Sequence, residues 1–168
     1  LTEGNREYFS KLQIAQLECE ETAKLIETYR KKLADGPVEE VDTSSYRIDP
    51  ETIVLMRRVQ VPGADIWVPV LPNVMIPDGD FENGDGTLVT WRKHAFDQAH
   101  RSFLNPHKGP GPTYQALKRM AYWPGMHKDK EIWLNECRVC HQYRTTARLA
   151  PMRSTLASLN QVYKTPWR

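Results

Sequence analysis

The 168-residue chain has no run near the roughly 18 consecutive apolar residues of a membrane span, and its first residues lack the pattern of a secretion signal. A soluble, intracellular protein with no membrane partner is expected. Cysteine is scarce: three residues, an odd number that does not suit a disulfide framework. There are no internal repeats and no long low-complexity tracts, which excludes solenoid and fibrous architectures. Acidic residues are missing from the entire stretch after Glu136. Chemistry that needs carboxylates converging on two metal ions finds no ligands there. Starting at a leucine and ending at TPWR, the sequence reads as a cut from a longer chain.

What is present is unevenly distributed. Residues 1–90 hold 9 Lys+Arg against 17 Asp+Glu, whereas residues 91–168 hold 14 against 4, so a net charge of +2 conceals halves of −8 and +10. The basic half suits a polyanion, nucleic acid among them.

From Asn5 to Leu33, apolar residues recur every three or four positions: Tyr8, Leu12, Ala15, Cys19, Ala23, Ile26, Tyr29 and Leu33. That spacing predicts one amphipathic helix, with Asn5 as N-cap and Gly36-Pro37 as its stop. Cys19 falls on the apolar seam, as a small hydrophobe would. After the acidic linker VEEVDTSS (38–45), three β-branched or aromatic runs follow: Tyr46 and Ile48, Ile53 to Val61, and Ile66, Val68 and Val70. They predict a small antiparallel sheet, its last strand held to an edge by Pro69 and Pro72. The Gly/Asp-rich stretch PDGDFENGDG (77–86) does not have the ligand spacing of a calcium loop. Helical pattern returns from Thr87, with helices expected over Thr113–Tyr122, stopped by Trp123-Pro124-Gly125, and over Lys128–Tyr143. Trp123 and Trp133 read as core.

The closest cysteine pair is Cys137-x2-Cys140, and two ligands do not close a metal site. His100 and His107 stand six residues apart, with 29 residues between His107 and Cys137. Two local pairs of N/S ligands separated by a helical stretch suit a closed tetrahedral zinc site, which is structural because no coordination position is left open. A redox role fits less well, since a thioredoxin-like pair opens a helix and this one closes one. A unit of about sixty residues buries little core, and zinc can supply the deficit.

His100-x6-His107, the run TYQALKRMAYWPGM (113–126) and CRVCHQYR (137–144) resemble the zinc-binding N-terminal domain of LTR-retrotransposon integrases, with YWPGM before Cys-x-x-Cys pointing to gypsy-like elements. The resemblance covers residues 91 to about 152. Residues 1–90 are similar to the extension that precedes that domain, and KTPWR to the approach to a catalytic core. Two departures from the family pattern stand out. Residues 73–90 interpose a long loop, which leaves His94 as an alternative to His100, and Pro106 stands where Gly is common before the second histidine. His127 and His141 are non-ligands in that alignment.

The expected fold is α+β: an N-terminal amphipathic helix (1–36), a small β subdomain with an acidic loop (37–90), a zinc-stabilised three-helix bundle of helix-turn-helix type (91–152) and a linker (153–168). The resemblance implies a non-catalytic front end of an integrase, part of a Pol polyprotein. It would bind structural Zn²⁺ through His100, His107, Cys137 and Cys140, and assemble with other integrase subunits on double-stranded DNA ends, in the nucleus or a cytoplasmic virus-like particle. Lys118, Arg119, Lys128, Lys130, Arg138, Arg144 and Arg148 are the expected phosphate contacts. The alternative is a host-captured protein-interaction module that uses the same zinc bundle without DNA.

Overall fold

The computed structural model describes residues 3–35, 45–76, 89–101 and 107–142. Most of the linker at 38–45, the loop at 77–86, the Gly36-Pro37 stop, Pro106, Arg144, Arg148 and the tail lie outside the described residues. Leu1–Ile132 form one compact unit and Trp133–Arg168 a second. The chain is α+β. Its elements are α1 (Glu3–Glu18), α2 (Glu20–Asp35), β1 (Tyr46–Ile48), β2 (Leu55–Val61), β3 (Ala64–Pro69), α3 (Trp91–His100), α4 (Pro110–Met120) and α5 (Met126–Glu136).

The single helix expected over Asn5–Leu33 is two helices, broken at Cys19. Thr22 causes the break: its hydroxyl donates to the carbonyls of Gln16 at 2.6 Å and Cys19 at 3.2 Å. A side chain that serves the backbone in this way competes with helix propagation. Periodicity alone could not reveal the break, because Leu12, Ala15, Cys19 and Ile26 remain buried on either side of it. Asn5, expected as N-cap, lies inside α1, which begins at Glu3.

The sheet has the predicted strands, antiparallel in the order β1-β2-β3. Between β2 and β3 the chain turns at Pro62-Gly63, with Val61 opposite Ala64 and Gly63 at φ 87°, the positive φ that glycine adopts without strain. Ile26, Leu55 and Val70 form a buried cluster flanked by Tyr46, Ile48 and Tyr122.

Gln16 joins α1 to this sheet. Its side chain is fully buried; Nε2 donates to the carbonyls of Leu55 (3.1 Å) and Val70 (2.7 Å), while Oε1 accepts from the Leu55 N–H at 2.8 Å. Beyond β3 the chain continues to pair, now with the segment after α4. Val70 and Tyr122 form a parallel bridge in which the Leu71 N–H donates to Tyr122 O (2.8 Å) and the Tyr122 N–H to Pro69 O (3.0 Å). Arg92, at the start of α3, donates from Nε to Leu71 O (3.1 Å) and from Nη2 to the Glu21 carboxylate (2.8 Å). The helices after residue 90 are thus tied to the sheet and helices before it. Residues 74–76 meet 89–91 through the Met75–Thr90 bridge and hydrogen bonds from Ile76 N to Val89 O and from Trp91 N to Val74 O.

The Gln16 amide generates a test. Gln16→Leu keeps the approximate volume but strands a buried donor and removes three bonds, which should cost about 2 kcal/mol at the 1–3 kcal/mol typical of a stranded buried group. Gln16→Glu should cost more, because a carboxylate cannot donate to the Leu55 and Val70 carbonyls. Urea unfolding of the two variants beside the parent checks the order.

Candidate metal centre

Thr90 caps α3, its hydroxyl accepting from the Lys93 N–H at 3.2 Å, and Trp91, Ala95, Phe96 and Ala99 bury the inner face. This fixes the last residue of the helix, His100, which is fully buried with its ring stacked on Phe96 at 5.2 Å. His100 Nδ1 lies 3.0 Å from Lys108 O and 3.3 Å from Thr113 Oγ1, and the Thr113 hydroxyl itself donates to Lys108 O at 2.9 Å. Two acceptor oxygens on one side make Nδ1 the protonated nitrogen and leave the Nε2 lone pair for a metal. The Lys108 N–H donates back to His100 O at 3.2 Å, closing the segment that carries His107. His107 sits at φ 56°, in the left-handed region that histidine enters more readily than most residues, with its ring edge-on to His100 at 5.2 Å.

Gly109 and Pro110 begin α4, with the proline in the first turn, where the missing N–H costs nothing. The helix ends at Met120, and Trp123, fully buried, donates from Nε1 to Asp129 in α5 at 2.8 Å. Trp133 is half-buried. Gly125, at φ 81°, makes the turn into α5. Cys137 follows that helix and is buried; residues 138–142 are again helical, with the His141 N–H donating to Cys137 O at 2.9 Å. Cys140 is half-buried.

One ligand atom from each of His100, His107, Cys137 and Cys140 lies within 4.8 Å of the others, which among the described residues makes a group able to hold a metal ion. Two imidazoles and two thiols form the donor set of closed, four-coordinate structural zinc sites. His94 stands outside this group, its Nε2 2.8 Å from Gln98 Nε2. His127 packs edge-on against Tyr114 at 5.2 Å, and His141 is exposed.

Of the expected phosphate contacts, Arg119, Lys128 and Arg138 are exposed and Lys118 is half-buried. Lys130 is buried, its ammonium 2.6 Å from the Glu131 carboxylate. The ligand spacing did not point to Thr113 or the Lys108 carbonyl, which orient His100. The one available signal was a threonine in the first turn of the helix that follows the second histidine.

Burial is the main force that holds the His100 imidazole below its ordinary pKa; neighbouring His107 acts in the same direction, and the Lys108 carbonyl opposes both. Burial likewise lowers His94. A neutral imidazole is the form that ligates metal. A histidine whose folded pKa is depressed binds more protons when unfolded. Its stabilising contribution is therefore intact above about pH 6.5 and is lost as pH falls from there through the folded value. Chelator-treated protein should accordingly melt at lower temperature at pH 5.5 than at pH 7.5, as thermal scans at the two pH values would show.

No curated protein and no solved structure matched the chain. A family model did, over residues 89–146, about a third of the sequence and the part that contains His100, His107, Cys137 and Cys140. That family is described as the integrase zinc binding domain, and residues 89–146 of the chain are similar to it.

Proposed function

We propose that the chain is the non-catalytic front end of a retrotransposon integrase. Here His100, His107, Cys137 and Cys140 hold one structural Zn²⁺, and the basic half engages the element's DNA ends during assembly of the integrase multimer. The carrying observation is the four-ligand cluster inside the matched domain. Zinc would supply folding energy to the segment between the ligands, with no reaction step of its own. Its sites are the His100 and His107 imidazoles and two thiolates, and Thr113 with Lys108 O aims the first of these.

The basic half supports the nucleic-acid part of the reading. It carries a net charge of +10, and exposed Arg119, Lys128 and Arg138 are free of the burial that removes Lys130 from solvent. Such charge acts on phosphates without regard to sequence, so affinity falls as salt rises and counterions are no longer released at a gain. Exposed Ile14 and Leu17 on α1 support a protein-contact role beside it. A multimer of integrase subunits accommodates both features. The same residues would serve the alternative, a host-captured interaction module, if DNA binding failed. The reading places the parent polyprotein in a nucleus or virus-like particle, and its strand-transfer carboxylates in a separate core.

Elemental analysis of purified protein should return one zinc per chain, and Cys137→Ser or Cys140→Ser should abolish it. Thr113→Val should leave the ligands in place yet weaken metal affinity about tenfold, the lower end of what loss of an orienting partner costs. Competition with a colorimetric chelator measures this.

Duplex DNA binding should show a negative slope of log affinity against log salt, shallower in Lys118→Glu/Arg119→Glu and similar for unrelated sequences. Salt-independent binding, unaltered by that pair of substitutions, would move the assignment to the protein-interaction module.

A further inference from the structure

The sheet and α4 enclose an open groove of about 390 Å³ that the sequence did not reveal. Arg57 and Arg58 of β2 line one wall; Tyr114 and Lys118 of α4, with Tyr122 and His127, line the other. Among the described residues no carboxylate lines it. Arg58 is half-exposed and paired with Asp65 at 2.7 Å, so its charge is partly answered. The Arg57 guanidinium is not. It donates to the Tyr46 hydroxyl at 2.6 Å and lies 3.9 Å over the Tyr122 ring and 5.0 Å over that of Tyr46. The Lys118 ammonium stands 5.9 Å from the Tyr114 ring. Among the described residues neither Arg57 nor Lys118 has a carboxylate partner.

We propose that this groove seats a phosphodiester of a nucleic-acid backbone, between Arg57 on the sheet and Lys118 on α4. The proposal rests on the nucleic-acid reading above and adds to it residues outside the matched domain. Among the described residues the half-buried Arg57 guanidinium is answered by a tyrosine hydroxyl and two aromatic rings but by no anion, so its lost hydration is only partly offset, and an arriving phosphate supplies the opposing charge. The two tyrosines already hold the guanidinium in place, so little side-chain freedom is lost when it binds. Because Arg57 and Lys118 belong to elements joined through the Val70–Tyr122 bridge, the site exists only when sheet and α4 are docked. An acidic peptide has the same charge but presents single carboxylates on flexible side chains. Residues 91–168, which supply Tyr114, Lys118, Tyr122 and His127 to the groove, carry a net charge of +10, and that favours a continuous polyanion.

The test is duplex DNA binding by the full zinc-loaded chain across a salt series, for the parent, Arg57→Gln, Lys118→Gln, the double variant and Arg57→Lys, with Lys32→Gln on α2, which does not line the groove, as a control. Each Gln variant should make the slope of log affinity against log salt shallower by about one, and the double variant by about two. Arg57→Lys should keep the parent slope, and Lys32→Gln should match the parent. Zinc content and melting temperature identify a variant that fails to fold; should Arg57→Gln be one, Arg57→Met, which keeps the apolar stem and removes the charge, takes its place. Unchanged slopes in folded Gln variants of a DNA-binding parent overturn the groove and leave the proposed function standing. A parent with no salt-dependent DNA binding overturns both. If a poly-glutamate peptide binds instead, with sensitivity to Arg57→Gln, the groove is a protein-docking site and the proposal is wrong.

Discussion

Three residues of extended chain, Pro69-Val70-Leu71, have all five of their backbone hydrogen-bonding groups satisfied, and each partner comes from somewhere else in the sequence. Pro69 O and Leu71 N pair with Tyr122, Val70 N with Leu55, Val70 O with the Gln16 amide and Leu71 O with Arg92. Proline at 69 is tolerated because the position offers no N–H and none is required. A buried backbone group without a partner costs as much as a lost hydrogen bond, so the segment can be buried only when α1, β2, α3 and the strand-like residue after α4 are all in place. Val70 and Leu71 are buried completely or nearly so. Removing any one partner exposes a polar group to an apolar surrounding, and the unit Leu1–Ile132 therefore coheres through backbone polarity as much as through apolar area.

This arrangement bears directly on the metal ligands. Arg92 anchors the first turn of α3 and His100 ends it, so the position of the first ligand follows from the bond to Leu71 O. Thr113 belongs to α4, whose exit residue, Tyr122, is bridged to Val70. The imidazole that Thr113 helps orient is thereby referenced to the same three residues at both ends. Integrity of the sheet is felt at His100 through two short covalent paths.

Much of this could be read from the residues in order. The strands, the antiparallel pairing, the helices after residue 90 and the clustering of His100, His107, Cys137 and Cys140 all follow from local patterns: β-branched runs, proline and glycine punctuation, and close His and Cys pairs. Other features depended on partners far away in sequence, which no local pattern encodes. Gln16 sat beside the apolar seam of α1 as one more polar residue, and its role depends on carbonyls 39 and 54 residues away. Thr22 broke a helix by bonding backward, an event invisible to a periodicity that both halves preserve. Spacing on a short helix groups Lys130 with the basic surface and does not show that Glu131 and the Tyr114 ring lie against its ammonium. Arg57 lies in the acidic half of the chain, where no local pattern sets it apart as a cation facing a groove.

The pairing of residues 74–76 with 89–91 bears on how this sequence can change with time. Because the two sides are already stitched together by the Met75–Thr90 bridge and its flanking bonds, whatever lies between them begins and ends at a closed gate. The entropic cost of such an excursion grows only logarithmically, about 0.6 kcal/mol for each doubling of length. Closure entropy alone therefore constrains the length between Ile76 and Val89 only weakly, while a single-residue shift at the gate would flip Thr90 and Trp91 to the wrong side of the pairing.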